Sequence, residues 1–159
     1  MTRSIFSLCI IFFVTTNIIH AQTKTDKQPN NQLYLGFTAG MYGLTDFQQS
    51  PPFDVQTPLY VGPTWIRNNL AVSPFYNIGG HSVGMFVTYA ISKDLSTYLI
   101  IDDALNADQG FYGVGITTPI IDPYVVGFVE IDRTYGEVGS TPALLLGVWV
   151  SLGKKVAAW

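Results

Sequence analysis

From Leu33 onward, apolar residues return at every second position. Leu33, Leu35, Phe37, Ala39 and Met41 share one parity, while Tyr34, Gly36, Thr38, Gly40 and Tyr42 share the other. Successive side chains of a strand point to opposite faces, so a period of two predicts an extended segment with two different surfaces. The pattern recurs at Val83, Met85, Val87, Tyr89 and Ile91 against Ser82, Gly84, Phe86, Thr88 and Ala90. It recurs again at Tyr112, Val114, Ile116 and Thr118 against Phe111, Gly113, Gly115 and Thr117, and at Leu144, Leu146, Val148, Val150 and Leu152 against Leu145, Gly147, Trp149, Ser151 and Gly153. About eight such segments, each of about nine residues, begin near Leu33, Leu59, Asn69, Ser82, Leu95, Gly110, Tyr124 and Pro142, with turn-forming residues between them. None sustains a period of 3.6, so the chain reads as all-β.

The two faces differ in a way that constrains the surroundings. One is large and aliphatic; the other mixes Gly, Thr, Ser and aromatic residues and holds almost no Lys, Glu or Asp. A sheet in water buries its aliphatic face and exposes a charged one. An antiparallel up-and-down β-barrel in lipid accommodates both faces, with the aliphatic set against hydrocarbon and the smaller set filling a narrow interior. The segment near Tyr124 is ambiguous in parity, and Glu130 with Asp132 assigns it by requiring an interior or rim position.

The connections alternate. Arg67-Asn68-Asn69, Ser92-Lys93-Asp94 and Pro119 to Pro123 are tight, whereas Gly43 to Thr57, Asp103 to Gln109 and Arg133 to Thr141 are longer or more polar. Gly79-Gly80 stands on the longer side yet reads as a tight hairpin. Tyr34, Tyr42, Tyr60, Trp65, Tyr76, Tyr89, Tyr112 and Tyr124 lie near segment ends, as girdles at a membrane interface would. Pro63 and Pro74 face each other if Asn68-Asn69 is a two-residue turn. Two missing donors predict a bulge, a shifted register or a position outside hydrocarbon.

Composition places this domain outside the cytoplasm. Arg3 followed by the uncharged run Ile5 to Val14 and a small residue at Ala21 reads as a cleavable signal peptide over 1–21, too short to span a bilayer. Residues 22–32 are Gln, Thr, Lys, Asn, Asp and Pro without apolar periodicity, a disordered leader, and 33–159 form the barrel domain. Cys9 lies within the signal, so the mature chain forms no internal disulfide. Acids outnumber bases and no basic stripe exists to neutralise phosphates, which argues against nucleic acid as a partner.

On this signal, strand count, turn asymmetry and alternation, the chain from Leu33 onward resembles the small eight-stranded outer-membrane β-barrel proteins of Gram-negative bacteria. The resemblance implies residence in the outer membrane among its lipids. It also implies recognition of a terminal aromatic residue by the barrel-assembly machinery, a part Trp159 would play, although Lys154-Lys155 stands between it and the clear alternation.

Candidate chemistry is sparse. His81 is the sole histidine after the signal and adjoins Ser82, but neighbouring strand residues point to opposite faces. Asp102, Asp103, Asn106 and Asp108 offer oxygen ligands in one link, without the glycine and closing glutamate of a calcium loop. Tyr112-Gly113-Val114-Gly115 leads into no helix that could cap a phosphate. No catalytic, cofactor or metal residue is therefore assigned. The expected role is non-enzymatic: structural, protective or surface interaction, with an extracellular partner at the Gly43 to Thr57 link, which carries Phe47, Pro51, Pro52 and Phe53. The alternatives are a soluble periplasmic barrel with its aliphatic face around a small apolar ligand, and a lipid-modifying enzyme of the outer membrane using His81.

Overall fold

The computed structural model describes residues 31–46, 54–121, 124–136 and 142–159. The segment read as a signal peptide, the expected leader up to Asn30, and Phe47 to Phe53 lie outside them. The described segments form β1 (Asn31–Asp46), β2 (Asp54–Gln56), β3 (Leu59–Arg67), β4 (Leu70–Asn77), β5 (Ser82–Ala90), β6 (Ser96–Ala104), β7 (Gln109–Ile121), β8 (Val125–Gly136) and β9 (Pro142–Ala158). From β3 onward each strand pairs antiparallel with the next, and β9 returns to β1 from Gln32↔Ala158 to Asp46↔Ala143, closing the sheet.

β2 and β3 lie on β1 in a single register, Tyr42↔Gln56 continuing into Ala39↔Leu59, and the Gly40 N–H donates to the Pro58 carbonyl across the break at 3.0 Å. They are one stave interrupted at Pro58, which has no N–H to offer a ladder. The fold is therefore a closed antiparallel barrel of eight staves, as the alternation predicts. Following partners once around, from Tyr34 through Thr64, Ser73, Phe86, Ile100, Gly113, Asp132 and Ala143, returns to β1 at Asp46 rather than at Tyr34. A stagger that large for so few staves tilts them steeply and widens the lumen.

The aliphatic set points out. Leu35, Met41, Val61, Met85, Leu99, Ile101, Val114, Ile116, Val129, Ile131 and Leu146 are all exposed on the outer wall. This is the reverse of what a ligand-enclosing aliphatic face would require. The exposed charged side chains of the described residues, Arg67, Lys93, Asp94, Asp103, Asp108, Arg133, Lys154 and Lys155, all lie at one end of the barrel or the other. Glu130 and Asp132 are buried in the lumen, which sets the parity of β8 as expected.

Five expectations need correction. The aromatic residues divide: Trp65, Tyr76, Tyr89 and Tyr112 belong to the outward set, but Tyr34, Tyr42 and Tyr60 are buried in the lumen. Their parity is that of the Gly and Thr positions, and the wide lumen admits their rings. Tyr34 donates to Gln32 at 2.8 Å and Tyr42 to Gln56 at 3.1 Å, so these two hydroxyls are satisfied.

The links are shorter than composition suggests, because the strands run on past the aliphatic belt. Gly43 to Asp46 and Asp54 to Gln56 are paired in a ribbon with β9, and Asp102 to Ala104, Gln109 and Arg133 to Gly136 are also strand. Barrel strands extended in this way exchange backbone hydrogen bonds regardless of side-chain polarity. Gly79-Gly80 is not a two-residue hairpin: Asn77 pairs with Ser82, leaving a four-residue link in which His81 adopts φ +49° and Asn77 Oδ1 accepts from the Gly80 N–H at 3.2 Å. Lys154-Lys155 does not end the strand, although the alternation of buried and exposed positions stops at Gly153. β9 passes through them with a one-residue bulge, and Trp159 and Asn31 exchange backbone hydrogen bonds at 3.1 Å.

The proline pair gives the fifth correction. Pro63 and Pro74 do stand opposite each other, and the register is the same on both sides of them, Val61↔Tyr76 above and Trp65↔Val72 below. Neither a bulge nor a slip occurs. The β3–β4 ladder is simply open over the three intervening positions, and Thr64 and Ser73 bridge it on the lumen side through their hydroxyls at 2.8 Å.

Candidate functional site

The barrel has two ends of different character. Among the described residues, the turn end holds the connections 68–69 and 91–95 together with Asn31 and Trp159, and the link end holds 78–81 and 105–108. Between them the lumen is divided into three zones.

Rings fill the middle. Tyr42, Tyr60, Phe75, Tyr98, Phe128 and Trp149 are buried in one cluster, with Phe86 packed against it. Trp149 lies parallel to Phe128 with centroids 4.7 Å apart and meets Tyr60 and Phe86 at 5.6 and 6.0 Å. Two glycines make room for this layer. A Cβ on Gly40 would sit 2.0 Å from the Trp149 ring, and one on Gly115 would sit 2.4 Å from the Tyr98 ring. Small residues opposite large ones are how a narrow barrel interior is filled without voids.

On the link side of the rings, the lumen is acidic. Tyr98 donates to Glu130 Oε2, and the Trp149 indole N–H, which can only donate, bonds to the Tyr98 hydroxyl. A chain of hydrogen bonds thus runs from β9 through β6 to β8. Asp102 accepts from Ser82 and Asn77, while its Oδ1 is buried without a partner among the described residues. Among those residues no group of three or more His, Cys, Asp or Glu is placed to hold a metal ion.

On the turn side lies a cavity of roughly 210 Å³. Thr38, Thr64, Ser73, Thr88, Ser96, Thr117 and Ser151 give it a hydroxyl wall, and Tyr60, Phe75, Phe86, Tyr98 and Trp149 close it toward the middle of the barrel. Pro63 and Pro74 also line it, so the open stretch of the β3–β4 ladder borders this cavity.

The sequence-derived candidates do not assemble into a reactive centre. His81 is exposed at the link end, with Nδ1 3.0 Å from the Tyr76 hydroxyl. Ser82, the first residue of β5, is buried and faces Asp102, whereas His81 belongs to the link with φ +49° and is exposed. The acidic cluster is likewise split: Asp102 is buried in the lumen, Asp103 is exposed on the other face, and Asn106 and Asp108 sit in the link. Tyr112 and Val114 face out while Gly113 and Gly115 face in, so that stretch is wall rather than a phosphate cradle. The cavity and the Trp149–Tyr98–Glu130 chain were not anticipated. Parity alone places these three side chains inward, but which of them meet depends on the stagger between strands, which no single segment encodes.

No protein-family model and no curated protein sequence matches the chain. Among solved structures it is similar to a de novo designed transmembrane β-barrel, with 14% identity and a TM-score of 0.42 over 80% of this chain and 100% of that one. It is also similar to the outer membrane phospholipase A from Escherichia coli, with 19% identity and a TM-score of 0.38 over 76% of this chain and 60% of that one. Neisserial surface protein A gives 12% identity and a TM-score of 0.38 over 76% of this chain and 96% of that one.

Proposed function

We propose that the chain is a small outer-membrane β-barrel, exported through the signal peptide over 1–21, with a structural, protective or surface-interaction role and no enzymatic one. The observation that carries this reading is the outer wall: a belt of exposed Leu, Ile, Val and Met, with the exposed charges of the described residues confined to the two ends. Such a belt in water would be an aggregation surface, whereas in a bilayer it is the solvated face. Closure of the sheet leaves no unpaired edge in hydrocarbon.

Trp65 and Tyr89 stand near the turn end, and Tyr76 and Tyr112 toward the link end, where ring dipoles and apolar bodies suit the two interfaces. Surface interaction then falls to the link end, above all to the β1–β2 ribbon and the 47–53 link that it carries. Its exposed Val55 extends the apolar character of Phe47, Pro51, Pro52 and Phe53.

Fractionation of the cell envelope, followed by gel migration of the extracted protein with and without boiling, tests this. Recovery with the outer membrane and a heat-modifiable band support it. Release with the soluble periplasmic proteins contradicts it.

A further inference from the structure

Opening a gap in the wall of a barrel normally breaks backbone hydrogen bonds that lipid cannot replace. At one place here there are none of that kind to break. Arg67 and Leu70 flank a two-residue turn and therefore form a hydrogen-bonded pair; alternating down the hairpin makes Pro63 and Pro74 such a pair as well. Each would donate to the other, and neither has an N–H. Pro63 pairs with the outward Leu35 and Pro74 with the outward Met85, so the outer side of the seam lies within the aliphatic belt and faces whatever surrounds it. Its inner side faces the turn-end cavity, with Gly62, Thr64, Ser73 and Phe75 lining the inner margin. The Thr64–Ser73 hydroxyl bond is what spans it.

We propose, resting on the membrane-spanning reading above, that the turn-end cavity receives a single lipid acyl chain through the β3–β4 seam. At that depth the molecules available outside are hydrocarbon chains. Parting Thr64 from Ser73 costs one hydroxyl pair, whose members can turn to other hydroxyls of the same wall. A chain entering there reaches the faces of Tyr60, Phe75, Phe86 and Trp149, an apolar floor that closes the cavity and stops further travel toward the acidic zone.

Trp149 reports entry, because it forms part of that floor inside the lumen. The protein is refolded into vesicles whose phospholipid acyl chains carry bromine, with Trp65 and Trp159 replaced by Phe so that Trp149 is the sole emitter. A Thr64→Cys/Ser73→Cys pair, at a position where side chains of paired strands lie close, forms a reversible latch. The expected result is quenching of Trp149 in the reduced protein, its loss on oxidation and its return on reduction. Pro63→Ala/Pro74→Ala, which restores two ladder donors without a cross-link, is expected to weaken the quenching as well. Equal quenching in latched and unlatched, proline and alanine forms overturns the proposal, as does no quenching of Trp149. A protein retaining only Trp65, on the outer wall, is quenched in the same vesicles whether or not a chain enters. If Trp65 also escapes quenching, the membrane reading itself has failed.

Discussion

A single methylene's worth of direction separates the two surfaces of this wall. Leu99 is 58% exposed and Ile100 is 3% exposed, although they are neighbours of similar polarity. In water an arginine at an exposed outer site such as Leu99 or Ile116 changes stability by no more than about 0.5 kcal/mol. In the middle of a lipid-facing wall it costs about 2 to 4 kcal/mol. Leu99→Arg and Ile116→Arg are therefore expected to lower the stability of the vesicle-folded barrel by the larger amount, read from urea unfolding. Glycines give a second contrast. Gly115→Ala forces a methyl into the Tyr98 ring and is expected to destabilise, whereas Gly79→Ala, whose Cβ meets nothing nearer than 3.9 Å, is expected to be close to neutral in the same assay. The direction of each side chain was legible from parity, including Glu130 and Asp132. The lumenal fate of Tyr34, Tyr42 and Tyr60 was legible too, had parity been allowed to outrank their nearness to segment ends. Asp102 and Asp103 show the same rule from the other side: adjacent in sequence, they cannot share a site across a sheet.

At the scale of elements, the strand count and the alternation of tight and long connections were readable, and element ends were not. The stretch from Gly43 to Thr57 is polar and turn-rich by composition, yet most of its two flanks pairs in the β1–β2–β9 ribbon. A strand end in a barrel is decided by whether a neighbour is there to pair, which is information from another part of the chain. The same limit hid the fate of Pro63 and Pro74. Sequence placed them opposite each other but could not show that the pairs on either side would hold the register while the ladder opened between them. Because β1 and β2 are held in register by their own pairing, replacing residues 48–52 with a short Gly-Ser link is expected to leave folding intact. A heat-modifiable band at wild-type yield checks this, and loss of the folded band would show that the link is needed for assembly.

The whole molecule depends on one quantity that no segment carries, the stagger accumulated around eight staves. It turns a run of inward Tyr, Phe and Trp residues into a layer across the lumen, with an acidic zone on one side and a hydroxyl-walled cavity on the other. The layer of packed rings stands across the lumen between the cavity and the acidic zone. Planar-bilayer recordings are accordingly expected to show no stable conductance steps; regular steps would mean that the ring layer is not closed in the membrane. Everything else rests on the outer wall being wetted by lipid. The most direct test is a nitroxide scan of single cysteines along β5 and β6, at Met85, Val87, Leu99 and Ile101 on the outer wall and at Lys93 in the turn, in a protein whose one native cysteine, Cys9, is replaced by Ser. The expected result is strong relaxation by oxygen and weak relaxation by a water-soluble nickel chelate at the four wall sites, with the reverse at Lys93. Wall sites that respond to the nickel chelate as Lys93 does would contradict the account.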